Sequence, residues 1–165
     1  MIENEKIFKT KTGFCHILPD KIILTRDGIT GNIAEGTIGN NISKILIIYG
    51  GFSVGLFYFT FERYKNGETF QPILFGLFGL YLIYGVIKSI NNSATPMIER
   101  NKIREVKFKK AILGLTRSRF EVFFDNEDGK TKKRIIMLPS SLTDGQNETE
   151  KAIKIMIDEK ILIST

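Results

Sequence analysis

Two uncharged apolar runs, joined by a short polar turn, constrain this 165-residue chain more than any other feature. Ile45–Phe61 holds seventeen residues and Thr69–Ile87 holds nineteen, with no Asp, Glu, His, Lys or Arg in either run. At a rise of about 1.5 Å per helical residue the runs reach roughly 25–28 Å, close to a hydrocarbon core of about 30 Å. The turn Glu62–Glu68 is too polar to lie in lipid and too short to be a domain. The sequence therefore predicts a transmembrane helical hairpin over residues 44–88.

A pair of buried helices in a soluble fold is the alternative interpretation of these runs. Neither run shows the polar stripe with a period of 3.6 residues that a half-exposed soluble helix needs. A chain of this size also has little room for two neighbouring helices that are apolar on every side. Aromatic residues near the ends of the runs are typical of membrane interfaces. They are Tyr49, Tyr58, Phe61, Tyr64 and Phe70.

Charge is placed unevenly along the chain. Residues 88–165 carry sixteen basic and eleven acidic side chains, whereas residues 1–44 carry six and five. By the positive-inside tendency we expect a multi-pass membrane protein with both termini cytoplasmic and the turn outside. Residues 1–5 lack an apolar segment, so no cleaved signal peptide is expected. The single cysteine excludes an intramolecular disulfide and suits a reducing compartment.

Short alternating segments flank the hairpin on both sides and predict β-strands. Before it, the predicted strands are Lys6–Lys11, Phe14–Leu18, Lys21–Thr25 and Ile29–Ala34. After it, they are Ile98–Lys110, Ser118–Asp125 and Thr131–Leu138. A turn is expected near Leu113 and Gly114, and a hairpin turn is expected at residues 126–129, which include Asp128 and Gly129. The last element is an amphipathic helix over Glu148–Leu162, with a capping box expected at Asn147 and Glu150. Ser43 is the expected cap of the first apolar helix. The antiparallel meander therefore ends in a helix.

The order of three strands and a closing helix resembles the back portion of a bacterial pleckstrin-homology-like domain. In that family a bent antiparallel sheet of about seven strands is closed at one end by a C-terminal helix. The resemblance implies an α+β protein of the bacterial inner membrane with one cytoplasmic domain. This domain would be built from residues 1–40 and 96–165 and split by the inserted transmembrane hairpin. Neither half would be stable alone, because each has sheet edges and one apolar face.

Glycines along the two apolar runs predict close helix packing. Gly51 and Gly55 form a G-x-x-x-G spacing in the first run, and Gly76 and Gly79 lie in the second. Small residues let two helix backbones approach closely in a membrane. The glycines would pack either the two helices of this hairpin or a second copy or partner subunit. The motif alone is compatible with both.

A basic cluster at two predicted strand ends is the feature with most functional content. It consists of Lys107, Lys109, Lys110, Arg117 and Arg119. The spacing resembles the pattern with which some pleckstrin-homology domains hold phosphoinositide head groups, although that pattern belongs to their first hairpin. The alternatives are membrane topology and adhesion to an anionic leaflet, or a protein or nucleic-acid partner. Nucleic acid is the least supported, because no aromatic residue is interleaved with these cations.

The sequence predicts no catalytic site, metal site or cofactor. Cys15 and His16 are adjacent, so in a strand they point to opposite faces and cannot act as a nucleophile–base pair. Asp125, Glu127 and Asp128 do not have the spacing of a calcium loop. We therefore expect a non-catalytic anchor, scaffold or accessory subunit that contacts anionic lipid, other membrane subunits or a second copy. The alternative is a part of an enzyme or transporter complex whose active site other subunits supply.

Overall fold

The computed structural model describes residues 6–28, 42–112, 116–140 and 145–162. The chain divides into two compact units: residues 42–91 form a helical unit, and the segments before and after them form a β unit. The described chain contains α-helices and two sheets. The predicted strand Ile29–Ala34 lies outside the described residues.

Eight strands and three α-helices make up the described elements. In chain order they are β1 (Lys6–Thr10), β2 (Gly13–Ile17), β3 (Lys21–Arg26), α1 (Ser43–Lys65), α2 (Phe70–Ser89), β4 (Asn92–Ser93), β5 (Met97–Glu99), β6 (Ile103–Lys109), β7 (Arg119–Asp125), β8 (Thr131–Met137) and α3 (Gly145–Asp158). A 3₁₀ turn, Arg100–Lys102, joins β5 to β6.

The β unit contains two four-stranded sheets, with strand orders β1-β2-β3-β5 and β4-β8-β7-β6. All pairings are antiparallel except the short parallel contact of β4 with β8. A backbone hydrogen bond of 2.8 Å from Lys11 N to the carbonyl of Met137 links the two sheets. Strands from before and after the helical segment therefore belong to one unit.

A single core joins the two sheets and α3. Phe8 of β1 and Phe120 of β7 are fully buried and meet edge to face, with ring centroids 6.0 Å apart. Ala152 and Met156 of α3 are also fully buried in this core. Burial of each of the three large side chains, Phe8, Phe120 and Met156, contributes roughly 1.5–3 kcal/mol. The alternation of buried and exposed residues along β7 follows from the period of two in a strand.

The predicted single strand Ile98–Lys110 is wrong, because the chain changes sheets within it. β5 pairs with β3 in one sheet, and β6 pairs with β7 in the other. The break coincides with the 3₁₀ turn, where Arg100 donates from Nη1 to the carbonyl of Leu18 (3.2 Å) and to Glu159 Oε2 (2.9 Å). Arg100 also bonds the main-chain carbonyl of Glu159. These long-range bonds anchor the corner.

Two predicted helix caps are also wrong. The first apolar helix begins at Ser43 itself, and Ile42 precedes it without a side-chain capping bond. α3 begins at Gly145, so Asn147 lies inside the helix. Gly145 is required there because a Cβ at this position would lie 2.1 Å from the carbonyl oxygen of Ser140. The chain packs on itself too closely at this point for any side chain.

The turn between β7 and β8 is the predicted hairpin. Gly129 has a φ of +72°, a conformation that glycine adopts without steric cost. Its N–H donates to the carbonyl of Asn126 (3.0 Å), and the Asn126 side chain accepts from Lys130 N (2.8 Å). The two long strands are thereby held in register from Asp125 and Thr131 onward.

Candidate functional site

Three of the five predicted basic residues share the outer face of the β6–β7 hairpin. Lys109 is directly opposite Arg119, and Lys107 is directly opposite Glu121. The intervening Phe108 contributes to the core, so the cations occupy the other face of the strand. Two like charges face each other across the strands at Lys109 and Arg119, which is unfavourable unless an anion or a neighbouring acid screens them.

Acidic neighbours already pair two of these three cations. Arg119 Nε lies 2.9 Å from Glu121 Oε1, and Lys107 Nζ lies 3.1 Å from Glu105 Oε2. Lys107 Nζ also lies 5.5 Å from the ring centroid of Phe123. Lys109 has no ion pair with any residue that the structure describes. Lys109 is therefore the most available cation on this face.

The remaining two basic residues lie in the connection between β6 and β7. Lys110 and Arg117 are both exposed. They line a cavity of about 550 Å³ to which the beginning of α3 contributes Gln146, Thr149 and Glu150. The five predicted residues thus divide between a strand face and this cavity and do not line one common pocket. Residues 113–115, which include the predicted turn at Leu113 and Gly114, lie outside the described residues.

A smaller polar cavity of about 250 Å³ involves two arginines that sequence reasoning missed. Thr10, Thr25, Arg26 and Arg134 are among its lining residues. Arg134 Nη1 donates to the carbonyl of Ser93 (3.1 Å), whereas its buried Nε has no hydrogen-bond partner in the described structure. Burial and, to a lesser degree, the charge of Arg26 lower the pKa of Arg134 to about 10. Guanidinium and hydroxyl donors together suit an anionic group.

Cys15 and His16 are separated as the strand alternation predicts. Cys15 is fully buried in the core, and burial raises the pKa of its thiol far above the usual range. His16 is half-buried, and its Nε2 lies 3.1 Å from Thr25 Oγ1. A buried neutral thiol is a poor nucleophile. In the described parts of the chain no group of three or more His, Cys, Asp or Glu side chains is arranged to hold a metal ion.

In the helical unit, α1 and α2 meet through small residues. Ser53 is buried and its Oγ donates to the carbonyl of Gly79 across the pair (3.0 Å). A Cβ at Gly79 would lie 3.2 Å from the ring of Phe57, and one at Gly76 would lie 3.7 Å from the methyl group of Thr60. The contact therefore depends on glycine in α2 and on Ser53 in α1. In the sequence, the position of Ser53 between Gly51 and Gly55 is the one signal that marks it.

Gly51 and Gly55 are on a different face of α1. A Cβ at either position would meet nothing within 4 Å in the described structure. They line an open apolar groove of about 440 Å³ together with large side chains of the same helix, Phe52 and Phe59 among them. Packing within the hairpin is therefore made by Gly76 and Gly79, and Gly51 and Gly55 present a free helix surface.

Most of the large apolar side chains of both helices are exposed. α1 and α2 are long and apolar enough to cross a membrane. In their most apolar stretches only 6% and 11% of the residues, respectively, are buried. Ser53 is the one buried residue of α1, and Pro72 and Gly79 are those of α2. The core helix of a soluble protein would be mostly buried, so this exposure disfavours the soluble alternative.

No family model, curated protein or solved structure matches this chain. The coarse architecture, an α+β chain with mainly antiparallel sheets and three α-helices in its described parts, therefore stands on the structure alone. The resemblance to pleckstrin-homology-like domains stays a prediction.

Proposed function

We propose that this protein is a non-catalytic membrane anchor or accessory subunit of the bacterial inner membrane, with a cytoplasmic pleckstrin-homology-like domain that contacts a partner or anionic lipid. The observation that carries the proposal is the exposure of most of the large apolar side chains of α1 and α2. Exposed apolar area of this extent is rare on soluble monomers and is ordinary on segments that face lipid.

Charged groups at the helix ends support a membrane setting. Lys65 Nζ lies 4.5 Å from the ring centroid of Phe61, and Lys88 Nζ lies 5.5 Å from that of Tyr84. Long basic side chains folded over aromatic rings are typical of the interface between lipid and water. The turn is closed by the ion pair of Arg63 with Glu68 (2.7 Å), which keeps a polar tip between the two apolar helices.

Two surfaces of the protein are available to neighbours. The face of α1 that carries Gly51 and Gly55 would receive a helix of another membrane subunit or of a second copy. The five basic residues of the cluster would contact an anionic leaflet or a partner, and a basic residue close to an anionic surface contributes about 1 kcal/mol. They are Lys107, Lys109, Lys110, Arg117 and Arg119. Neither role requires a catalytic group.

Membrane fractionation combined with cysteine accessibility tests the proposal. A Cys15→Ala background removes the native thiol, and Asn66→Cys and Lys130→Cys place single exposed thiols in the turn and in the β unit. We expect the protein to stay in the membrane pellet after alkaline carbonate washing. In intact cells, an impermeant maleimide should label Cys at position 66 and leave position 130 unlabelled.

The control for labelling is detergent permeabilisation, after which both positions should react equally. Release of the protein into the soluble fraction by carbonate would contradict the anchor. Labelling at position 130 and protection at position 66 would invert the proposed topology and place the β unit outside.

A further inference from the structure

A groove of about 870 Å³ lies between β6 and the end of α3. All seven residues of β6 line it, although their side chains alternate between the two faces of the sheet. Consecutive residues can line one groove only if the strand presents its backbone edge to it. β6 is the last strand of its sheet in the described structure, so its outer N–H and C=O groups face this groove.

The opposite wall of the groove is apolar. Ile153 and Ile157 are four residues apart on α3, and Ile161 and Leu162 follow the helix. Ile157 keeps 38% of its surface exposed, because the buried side of the helix is formed by Ala152 and Met156. An extended chain laid along β6 would cover this wall.

The rim of the groove is strongly basic. Its charged lining residues are Arg100, Arg104, Lys107, Lys109, Lys160 and the single acid Glu105. Arg100 and Arg104 are paired with Glu159 and Asp125, and Lys107 is paired with Glu105. No ion pair in the described structure involves Lys109 or Lys160. The groove therefore carries an excess of positive charge beside an unpaired strand edge.

We propose that this groove binds an acidic, extended segment of a partner protein as an additional strand along β6. The inference rests on the proposed function, whose partner contact it specifies. The backbone edge of β6 would supply the main-chain hydrogen bonds, as in strand addition generally. Side chains of the added strand alternate, so one set would meet the isoleucines of α3 and the other would meet Lys107 and Lys109. The recognised segment alternates acidic and apolar or β-branched residues.

Charge complementarity selects this occupant over a second copy of the chain. Pairing of β6 with β6 would bring Lys107 and Lys109 of one copy close to those of the other, and like charges across neighbouring strands are destabilising. Lysines on an edge strand also discourage self-association. An acidic segment reverses the sign of this interaction and relieves the repulsion between Lys109 and Arg119.

The test uses the full chain in mild detergent and a fluorescent ten-residue peptide in which glutamate alternates with valine and threonine. We expect saturable binding and slower hydrogen exchange of backbone amides in β6. Lys109→Glu with Lys160→Glu should weaken binding at least tenfold, and Ile157→Ser should weaken it without a change of charge. A peptide with lysine in place of glutamate should not bind.

Lys130→Glu with Lys154→Glu is the matched control, because it makes the same change of net charge at exposed positions away from the groove lining. This variant should bind as the wild type does. Resistance of the buried Cys15 to thiol labelling checks that each variant is folded.

Equal weakening in the control pair, or binding without protection of β6, would overturn the proposal. A dimer whose β6 amides are protected without peptide would also overturn it, because the groove would then be filled by a second copy. Absence of saturable peptide binding would overturn the groove proposal and leave the membrane anchor intact. Release of the protein by carbonate would refute the anchor and leave the peptide-binding groove unaffected. The two proposals therefore fail separately.

Discussion

Lys160 is a residue held in an unfavourable backbone conformation at the end of α3. Its φ is +56°, and its N–H donates to the carbonyl of Ile157 (2.8 Å). The N–H groups of Ile161 and Leu162 both donate to the carbonyl of Met156 (2.9 Å each), so the chain folds back on the helix. A left-handed residue at this position is usually glycine. The side chain of Lys160 therefore stands at the groove at a conformational cost of about 1–2 kcal/mol.

Replacement of Lys160 by glycine should stabilise the β unit. We expect Lys160→Gly to raise the free energy of unfolding by about 0.5–1 kcal/mol, because glycine adopts this φ without a Cβ clash. Lys160→Ala is the control, since it removes the charge and keeps the clash. Denaturant unfolding of the full chain in detergent measures both. Equal stability of the glycine and alanine variants would refute the backbone explanation.

At the scale of the element, the contact between α1 and α2 depends on Gly79 of α2. Gly79→Leu would drive a side chain into the ring of Phe57, because a Cβ at position 79 would already lie 3.2 Å from the nearest atoms of that ring. We expect a loss of about 1–3 kcal/mol, typical of overpacking, and a lower midpoint of thermal unfolding in detergent. The bond from Ser53 to the Gly79 carbonyl would be lost as the helices separate.

Gly51→Leu provides the matched control for this prediction. The substitution is the same, but a Cβ at position 51 meets nothing within 4 Å in the described structure. Its thermal midpoint should match that of the wild type when the protein is monomeric in detergent. If both leucine variants lose stability equally, general helix propensity and not the contact with Phe57 would be responsible.

At the scale of the whole molecule, Glu159 forms ion pairs with two residues that are far from it in the chain. Its carboxylate lies 3.0 Å from Lys6 Nζ of β1 and 2.9 Å from Arg100 Nη1 of the 3₁₀ turn. Hydrogen bonds from Lys6 and then Arg100 lower the pKa of the Glu159 carboxyl below its usual range. These ion pairs therefore link the part of the β unit that precedes the helical segment in the chain to the part that follows it.

This lowered pKa makes stability depend on pH. A carboxyl group whose pKa is lower in the folded state stabilises the fold above its unfolded pKa of about 4.3, and this stability is lost as the pH falls through the folded value. We therefore expect the wild type to lose stability below about pH 4.3 and Glu159→Gln to lose less over that range. Thermal midpoints in detergent between neutral and acidic pH measure the difference.

Glu150→Gln is the control for the pH experiment. Glu150 is an exposed carboxylate of the same helix, with no ion pair to any residue that the structure describes. This variant should keep the acid sensitivity of the wild type. Identical pH profiles for the wild type and Glu159→Gln would show that the contacts of Glu159 with Lys6 and Arg100 contribute nothing to folding.

The sequence by itself determined the elements whose signals are local. The apolar runs predicted α1 and α2, because an uncharged apolar run of this length is typical of a membrane-spanning helix. The alternation of Phe120, Val122 and Phe124 predicted β7, and Asp128 and Gly129 predicted its turn, because both signals lie within a few residues.

Only the tertiary structure decided how these elements meet. The break between β5 and β6 depends on bonds from Arg100 to Leu18 and Glu159, which are 82 and 59 residues away. The separation of Gly79 from Gly51 into an inner and an outer helix face follows from the rotation of each helix about its axis. The groove beside β6 likewise joins a strand edge to a helix that begins 36 residues after the strand ends. Such contacts are made between residues far apart in the chain, and no local pattern of residue types records them.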